Sequence, residues 1–305
     1  MTPRFRVTVV AGALLAACLV VSMFALARIN QIRYGATLEE VLYIPSSKVV
    51  KRLSLGYTGL AADIYWTRAV QYFGRKHLQK AEHYDLLYPL LDMTVSLDPD
   101  LMPAYEFGGF FLAQPPPEGA GQPEKAVELL ERGIREHPDA WRLYFNLGFI
   151  HFMDREDYAA AADAFERGSQ RPGAHQWLKI MAAMMAQQGG HAQKAKALWA
   201  GIYETTQDQL IRDNAANHLR AIQSDEAVTQ LEQIVADYQA RSGAAPSSWQ
   251  PLIAAGILRG IPVDPTGRPY RLISGRVEVD DPKALPYIQK GLPPGWVPSV
   301  FGKPQ

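Results

Sequence analysis

The chain is almost free of cysteine. Cys18 is the only one in 305 residues, so no internal disulfide can form. A lone cysteine leaves the redox compartment open. An excess charge of one sign is also missing: Lys plus Arg and Asp plus Glu each count 31. No clustered basic face stands out, and a nucleic-acid partner requires one, so none is expected. The signatures of catalysis are absent as well. The seven histidines are scattered, and His77 and His83, six apart, fall on different faces of a helix. There is no His-x3-His pair, no His-Glu-x-x-His run and no second cysteine to hold a metal. There is no phosphate loop, dinucleotide fingerprint or Gly-x-Ser-x-Gly elbow. The expectation is a protein that is not an enzyme, with no cofactor and no metal. His151 falls at a helix-packing position and is read as a satisfied or edge histidine.

What the chain does have begins at its N-terminus. Val7 to Leu26 is twenty residues without a charge. As a helix rising ~1.5 Å per residue it spans about 30 Å, the thickness of a bilayer's hydrocarbon core. Arg4 and Arg6 precede the run, and Arg28 and Arg33 follow it. With the amino terminus, the positive excess lies slightly before the run, which favours an N-terminus in the cytoplasm. Two other readings stay open. Leu15-Ala16-Ala17-Cys18 resembles the lipobox of bacterial lipoproteins, with lipid carried on Cys18. Ala25-Leu26-Ala27 has the small residues of a signal cleavage site. Residues 1–30 are therefore expected to be a membrane anchor that contacts the lipid bilayer, and residues 31–59 a linker.

Residues 60–223 carry a repeat. Tyr144, Leu147, Gly148 and His151 return thirty-four residues later as Leu178, Met181, Ala182 and Met185. Ala161, Phe165 and Gly168 return as Ala195, Trp199 and Ile202. Seven positions thus share one offset, each with its size class kept or nearly so. Trp66, Ala69, Val70 and Phe73 fit an earlier copy, and Phe107-Gly108 with Phe111 opens another, whose second helix holds Ala126, Leu130 and Gly133. An insertion from Gln114 to Gly121 separates the helices of that copy. Its consecutive prolines cannot continue a helix, so an exposed loop is expected. Asp208 to Ile222 reads as one more amphipathic helix capping the array. Period and spacing resemble the tetratricopeptide (TPR) repeat. That resemblance implies stacked helix pairs in a curved solenoid with a concave protein-binding groove.

Residues 224–281 change character. Asp225 to Arg241 reads as a separate amphipathic helix with Val228, Leu231, Val235 and Tyr238 on its stripe. Gly243 and Pro246 break it, and Trp249, Leu252 and Ile253 make a short helical turn. Asp264-Pro265-Thr266-Gly267-Arg268-Pro269-Tyr270 is turn-rich. Tyr270 to Ile273, Ser274-Gly275 and Arg276 to Val279 read as a tight hairpin. Asp280 and Asp281 are expected at its solvated end. This order, with Gly243, Pro246, Asp264, Pro265, Gly267, Pro269 and Tyr270, resembles the globular part of type II secretion pseudopilins. In pseudopilins the membrane helix directly precedes this module; here a whole repeat array does, so no filament subunit is expected. Residues 282–305, rich in Pro and Gly, read as an irregular tail.

The fold class expected is therefore mostly α: a TPR helical solenoid after one transmembrane helix, with a small C-terminal α+β pseudopilin-like module. The TPR resemblance implies that Tyr105, Leu112, Arg142, Phe145, Phe149, Phe152 and Lys179 line the groove and bind a protein partner. Phe145, Phe149 and Phe152, at i, i+4 and i+7, form a second aromatic stripe beside the packing residues. The expected role is a membrane-anchored scaffold, an assembly factor of a bacterial secretion or pilus-type envelope machine. The alternative is a general envelope scaffold or lipoprotein. The expected location is the bacterial cytoplasmic membrane, single-pass, with the C-terminal part periplasmic.

Overall fold

The computed structural model describes residues 14–25, 28 and 46–296. The chain divides into two compact units, residues 1–56 and 57–305.

In the first unit residues 14–25 are helical (α1), and α2 covers Ser47–Leu53. Part of the stretch expected as linker is therefore helix. Among the described residues no helix is long and apolar enough to cross a membrane. Residues 7–13 and 26 of the expected span, and linker residues 31–45, lie outside the described residues.

The second unit is mostly helical: α3 (Thr58–Leu78), α4 (Leu87–Leu97), α5 (Met102–Ala113), α6 (Pro123–Glu136), α7 (Trp141–Met153), α8 (Tyr158–Ser169), α9 (Trp177–Gln188), α10 (Ala192–Thr205) and α11 (Gln209–Ser242). Each helix from α3 to α11 packs on the next, and α5 also reaches α7. Small residues set the close approaches. A Cβ added to Gly148 of α7 would come within 2.6 Å of the Phe165 ring of α8. One added to Gly133 of α6 would lie 2.8 Å from the Tyr105 ring of α5. Phe165 and Trp199, one repeat apart, are both fully buried. Burying Phe165 stabilises by roughly 1.5–3 kcal/mol. The core around them runs on through Leu178, Met181, Ala182 and Met185 to Ala215 and Ile222.

Local chemistry starts and stops these helices. The carboxylate of Asp157 accepts from the Ala160 N–H at 2.9 Å and caps α8. Asp208 Oδ1 accepts from Leu210 N at 2.8 Å at the start of α11. That helix ends at Gly243, whose φ of +78° is the left-handed C-cap that glycine adopts without strain. The proline-rich insertion is not a free loop. The Pro117 carbonyl accepts from Tyr84 Oη at 2.7 Å and His77 Nδ1 at 2.9 Å, and Ala120 N donates to Phe111 O. Gly119 and Ala120 are buried, although Gln114 to Pro116 and Glu118 stay exposed.

The two helices expected on either side of residue 223 are one. α11 runs unbroken for 34 residues. Its first half closes the helical core through Ala215 and Ile222. Its second half carries Val228, Leu231 and Val235 into another core with Trp249, Leu252, Tyr270, Leu272 and Val277. Trp249 belongs to the turn leading into α12 (Gln250–Ala254), and its Nε1 donates to the Tyr270 carbonyl at 2.7 Å. Strands β1 (Arg271–Ile273) and β2 (Arg276–Glu278) pair antiparallel, with Leu272 opposite Val277. Ser274 and Gly275 both have positive φ (51° and 80°), as the two-residue turn that suits strand twist requires. The Asp264 carboxylate shapes the preceding turn, accepting from Thr266 N at 2.8 Å and Arg268 N at 3.0 Å.

Two expectations at the C-terminus are corrected. Asp280 and Asp281 are not merely solvated: they form ion pairs with Arg271 and Arg268. The segment after the hairpin lacks regular structure beyond a 3-10 turn at Pro282–Ala284, but as far as Trp296 it is not loose. Leu285 and Ile288 are buried in the module core, and Val279 N donates to Gly291 O. Tyr287 stacks on His218 of α11 at 3.6 Å, and His218 stacks on Trp199 of α10 at 4.0 Å. Gln187 fixes this stack: its Oε1 accepts from Trp199 Nε1 and lies 2.8 Å from His218 Nδ1, while its Nε2 donates to Tyr287 O. Residues 297–305 lie outside the described residues.

Candidate protein-binding face

Helix α7 turns two sides to two tasks. Leu143, Tyr144, Asn146, Leu147, Gly148 and Ile150 are buried. Asn146 Nδ2 donates to Glu106 O of α5 at 3.2 Å, which fixes the rotation of α7 against its neighbour. That rotation leaves Trp141, Phe145, Phe149 and Phe152 half-buried along one side. The rings of Trp141, Phe145 and Phe149 are continuous, while Phe152 meets Tyr158 of α8. Trp141 meets Phe145 edge-on at 6.3 Å, Phe145 meets Phe149 at 4.8 Å, and Trp177 of α9 lies 5.8 Å from both phenylalanines. Phe149 also meets the buried Phe165 edge-on at 5.5 Å. Each such contact is worth about 0.5–1.5 kcal/mol beyond area burial. The aromatic stripe therefore rests on the core and turns its outer edges to solvent.

Two exposed cations lie on the same two helices. The Arg142 guanidinium lies 5.0 Å from the Trp141 ring centroid. Lys179 is exposed one half-turn beyond Trp177 and lines a cavity of about 190 Å³ with Ile180, Ile202, Thr205 and Ile211. Neither cation takes part in an ion pair among the described residues.

Five of the seven expected positions thus lie on α7 and α9 with surface to offer: Arg142, Phe145, Phe149, Phe152 and Lys179. The other two are corrected. Tyr105 and Leu112 of α5 are fully buried and cannot meet a partner. The Tyr105 ring sits in the seam over Gly133, its hydroxyl has no hydrogen-bond partner among the described residues, and burial pushes its pKa up to about 12. Trp141 and Trp177 were missed by the periodicity, since each precedes the first packing position of its repeat. Large aromatic residues at two consecutive helix starts were the available signal.

His151 is half-buried, and its Nδ1 has no hydrogen-bond partner among the described residues. Burial first, and then the charge of Arg155, lower its pKa, so it is neutral at pH 7. Among the described residues no three His, Cys, Asp or Glu side chains gather to hold a metal. What the face offers is contact: flat rings that bury area at low entropic cost, with cations at the edge.

Comparison with protein-family models, with curated proteins and with solved structures gave no significant match for this chain.

Proposed function

We propose that this chain is a membrane-anchored TPR scaffold. It holds a protein partner against the aromatic face of α7 and α9 and acts, without catalysis, in assembling a bacterial secretion or pilus-type envelope machine. The observation that carries the binding role is the ring row Trp141–Phe145–Phe149–Trp177, partly exposed, with the Arg142 cation against Trp141 and exposed Lys179 also on α9. Half-exposed rings on a rigid helical support suit an extended or helical peptide. The TPR reading is supported by the 34-residue offset and by Phe165 and Trp199 filling equivalent buried positions. The envelope reading rests on the uncharged run Val7 to Leu26, with a periplasmic C-terminal part. The secretion reading rests on the pseudopilin-like order of Asp264, Gly267, Tyr270 and the hairpin.

The test is in-cell crosslinking of the tagged full-length protein, with captured partners identified by mass spectrometry. Secretion or pilus components are the expected capture. A partner set without any such component would remove the secretion role.

A specific observation favours a second reading, a general envelope scaffold in which the C-terminal module serves only as a cap. α11 belongs to both cores, and Tyr287 and Gln187 tie the module to the last helical pair.

A further inference from the structure

A cavity of about 510 Å³ opens where the α9–α10 turn, α11 and the C-terminal segment meet. That volume lies in the range of small-molecule sites. Ala192 and Ile222 give it apolar surface, and Asp225, Glu226, Thr229 and Lys290 give it charge and polarity.

These groups are not equally free. Glu226 is engaged: its Oε2 takes the Lys196 ammonium at 2.9 Å and its Oε1 takes Gln193 Nε2 at 2.9 Å. Asp225 is half engaged. Its Oδ1 accepts the backbone N–H groups of Gln289 at 2.9 Å and Lys290 at 2.7 Å, which locks the carboxylate in place. No described residue donates to its Oδ2. Lys290 places its backbone against Asp225, yet its ammonium donates to Thr229 Oγ1 at 2.7 Å instead. Among the described residues Lys290 forms no ion pair.

Asp225 of α11 and the Lys290 ammonium, held on Thr229 one helical turn further along α11, thus line one cavity on separate anchors rather than joined. The Lys290 charge acts on Asp225 through space, yet no direct ion pair joins them among the described residues. A ligand with an ammonium and a carboxylate would satisfy both ends. We propose that this cavity binds a small zwitterion, an α-amino acid or a short peptide with free ends, with its ammonium on Asp225 Oδ2 and its carboxylate on Lys290 Nζ. Ile222 and Ala192 would contact the body of the ligand. Burial raises the Asp225 carboxyl to about 6, so at pH 7 it is charged and poorly hydrated, a state in which an ammonium partner counts most.

Titration calorimetry on the full chain at pH 7.5 tests this with alanine, tri-alanine, N-acetyl-tri-alanine and tri-alanine amide. Saturable binding of alanine or tri-alanine is expected, and the tighter of the two identifies the source as free amino acid or peptide. Blocking either end of tri-alanine weakens it roughly tenfold or more, the value of a lost charge-assisted hydrogen bond. Asp225→Asn keeps an oxygen for the Gln289 and Lys290 N–H groups, so the tail stays docked while the ammonium contact is lost. Lys290→Gln alters only an exposed side chain. Each variant is expected to weaken the free-ended ligand about tenfold as well. No saturable binding by the wild type to about 10 mM, well beyond a millimolar site, would overturn the proposal. So would blocked and free ends binding alike, or both variants binding as the wild type does.

Discussion

Single residues decide how closely the helices approach and how the molecule answers to acid. Gly148 leaves no room for a methyl group, because the ring of Phe165 lies 2.6–2.8 Å from where its Cβ would be. Gly148→Ala is expected to destabilise by about 1–3 kcal/mol in urea unfolding, since a buried ring must move. Gly201 of α10 has nothing within 4 Å. Gly201→Ala is expected to stabilise by roughly 0.5–1 kcal/mol in the same measurement, so the sign separates packing from propensity. The size class of Gly148 was legible because Ala182 repeats it; the ring it accommodates was legible only as a repeat position. His218 and Asp225 act in opposite senses below pH 7. Burial holds His218 neutral, with its pKa down to about 3 against about 6.5 unfolded. Between those values the unfolded chain binds the extra proton, so acid favours unfolding. Burial raises Asp225 to about 6 against about 4 unfolded, despite the N–H groups of Gln289 and Lys290 and the Lys290 charge. There the native chain holds the extra proton, and acid stabilises it. Stability is therefore expected to fall gently from pH 6 to 4 and more steeply below. Asp225→Asn should steepen the loss between pH 6 and 4, and His218→Phe should turn that window into a slight gain and flatten the limb below it. Equal slopes in all three proteins would contradict these assignments.

At the scale of elements, α11 matters most, and the sequence misled there. The apolar pattern read as two helices, Asp208 to Ile222 and Asp225 to Arg241, and Ser224 and Asp225 at the junction are residues that compete with the backbone for hydrogen bonds. Both side chains are committed elsewhere. Ser224 Oγ shares a hydrogen bond with Tyr270 Oη at 2.9 Å, and Asp225 takes the tail N–H groups. With its local competitors satisfied by tertiary partners, the backbone continues as helix. The hairpin was legible because Ser274-Gly275 is a turn by local chemistry alone. The tail was not, because Leu285, Tyr287 and Ile288 follow no period and their burial depends on distant partners. The unbroken helix gives a direct prediction. Gln223 is exposed, so Gln223→Pro removes no packing but breaks the backbone bond at the junction. A loss of about 3 kcal/mol or more is expected, with the two cores unfolding in separate transitions. A variant that unfolds in one step at wild-type stability would show that the two halves of α11 do not couple the cores.

For the whole molecule, the proposed role is a scaffold with its recognition face on the first helices of successive pairs. The repeated offset made the helix pairs legible, and it placed five of seven candidate residues on a surface. It misplaced Tyr105 and Leu112 because repeat arithmetic assigns a face without regard to what covers it, and both sit on the packed side of α5, whose open side carries Phe107. The central claim is that a protein docks on the α7–α9 face. Arg142 and Lys179 are its best probes, because both are exposed and unpaired among the described residues, whereas the phenylalanines also support the core. The most direct measurement is site-specific photocrosslinking in cells with a photoreactive residue at position 142 or 179, and at exposed Asp163 of α8 as control. The account predicts one shared envelope-protein adduct from positions 142 and 179 and none from 163. Adducts absent at 142 and 179, or equally strong at 163, would contradict it.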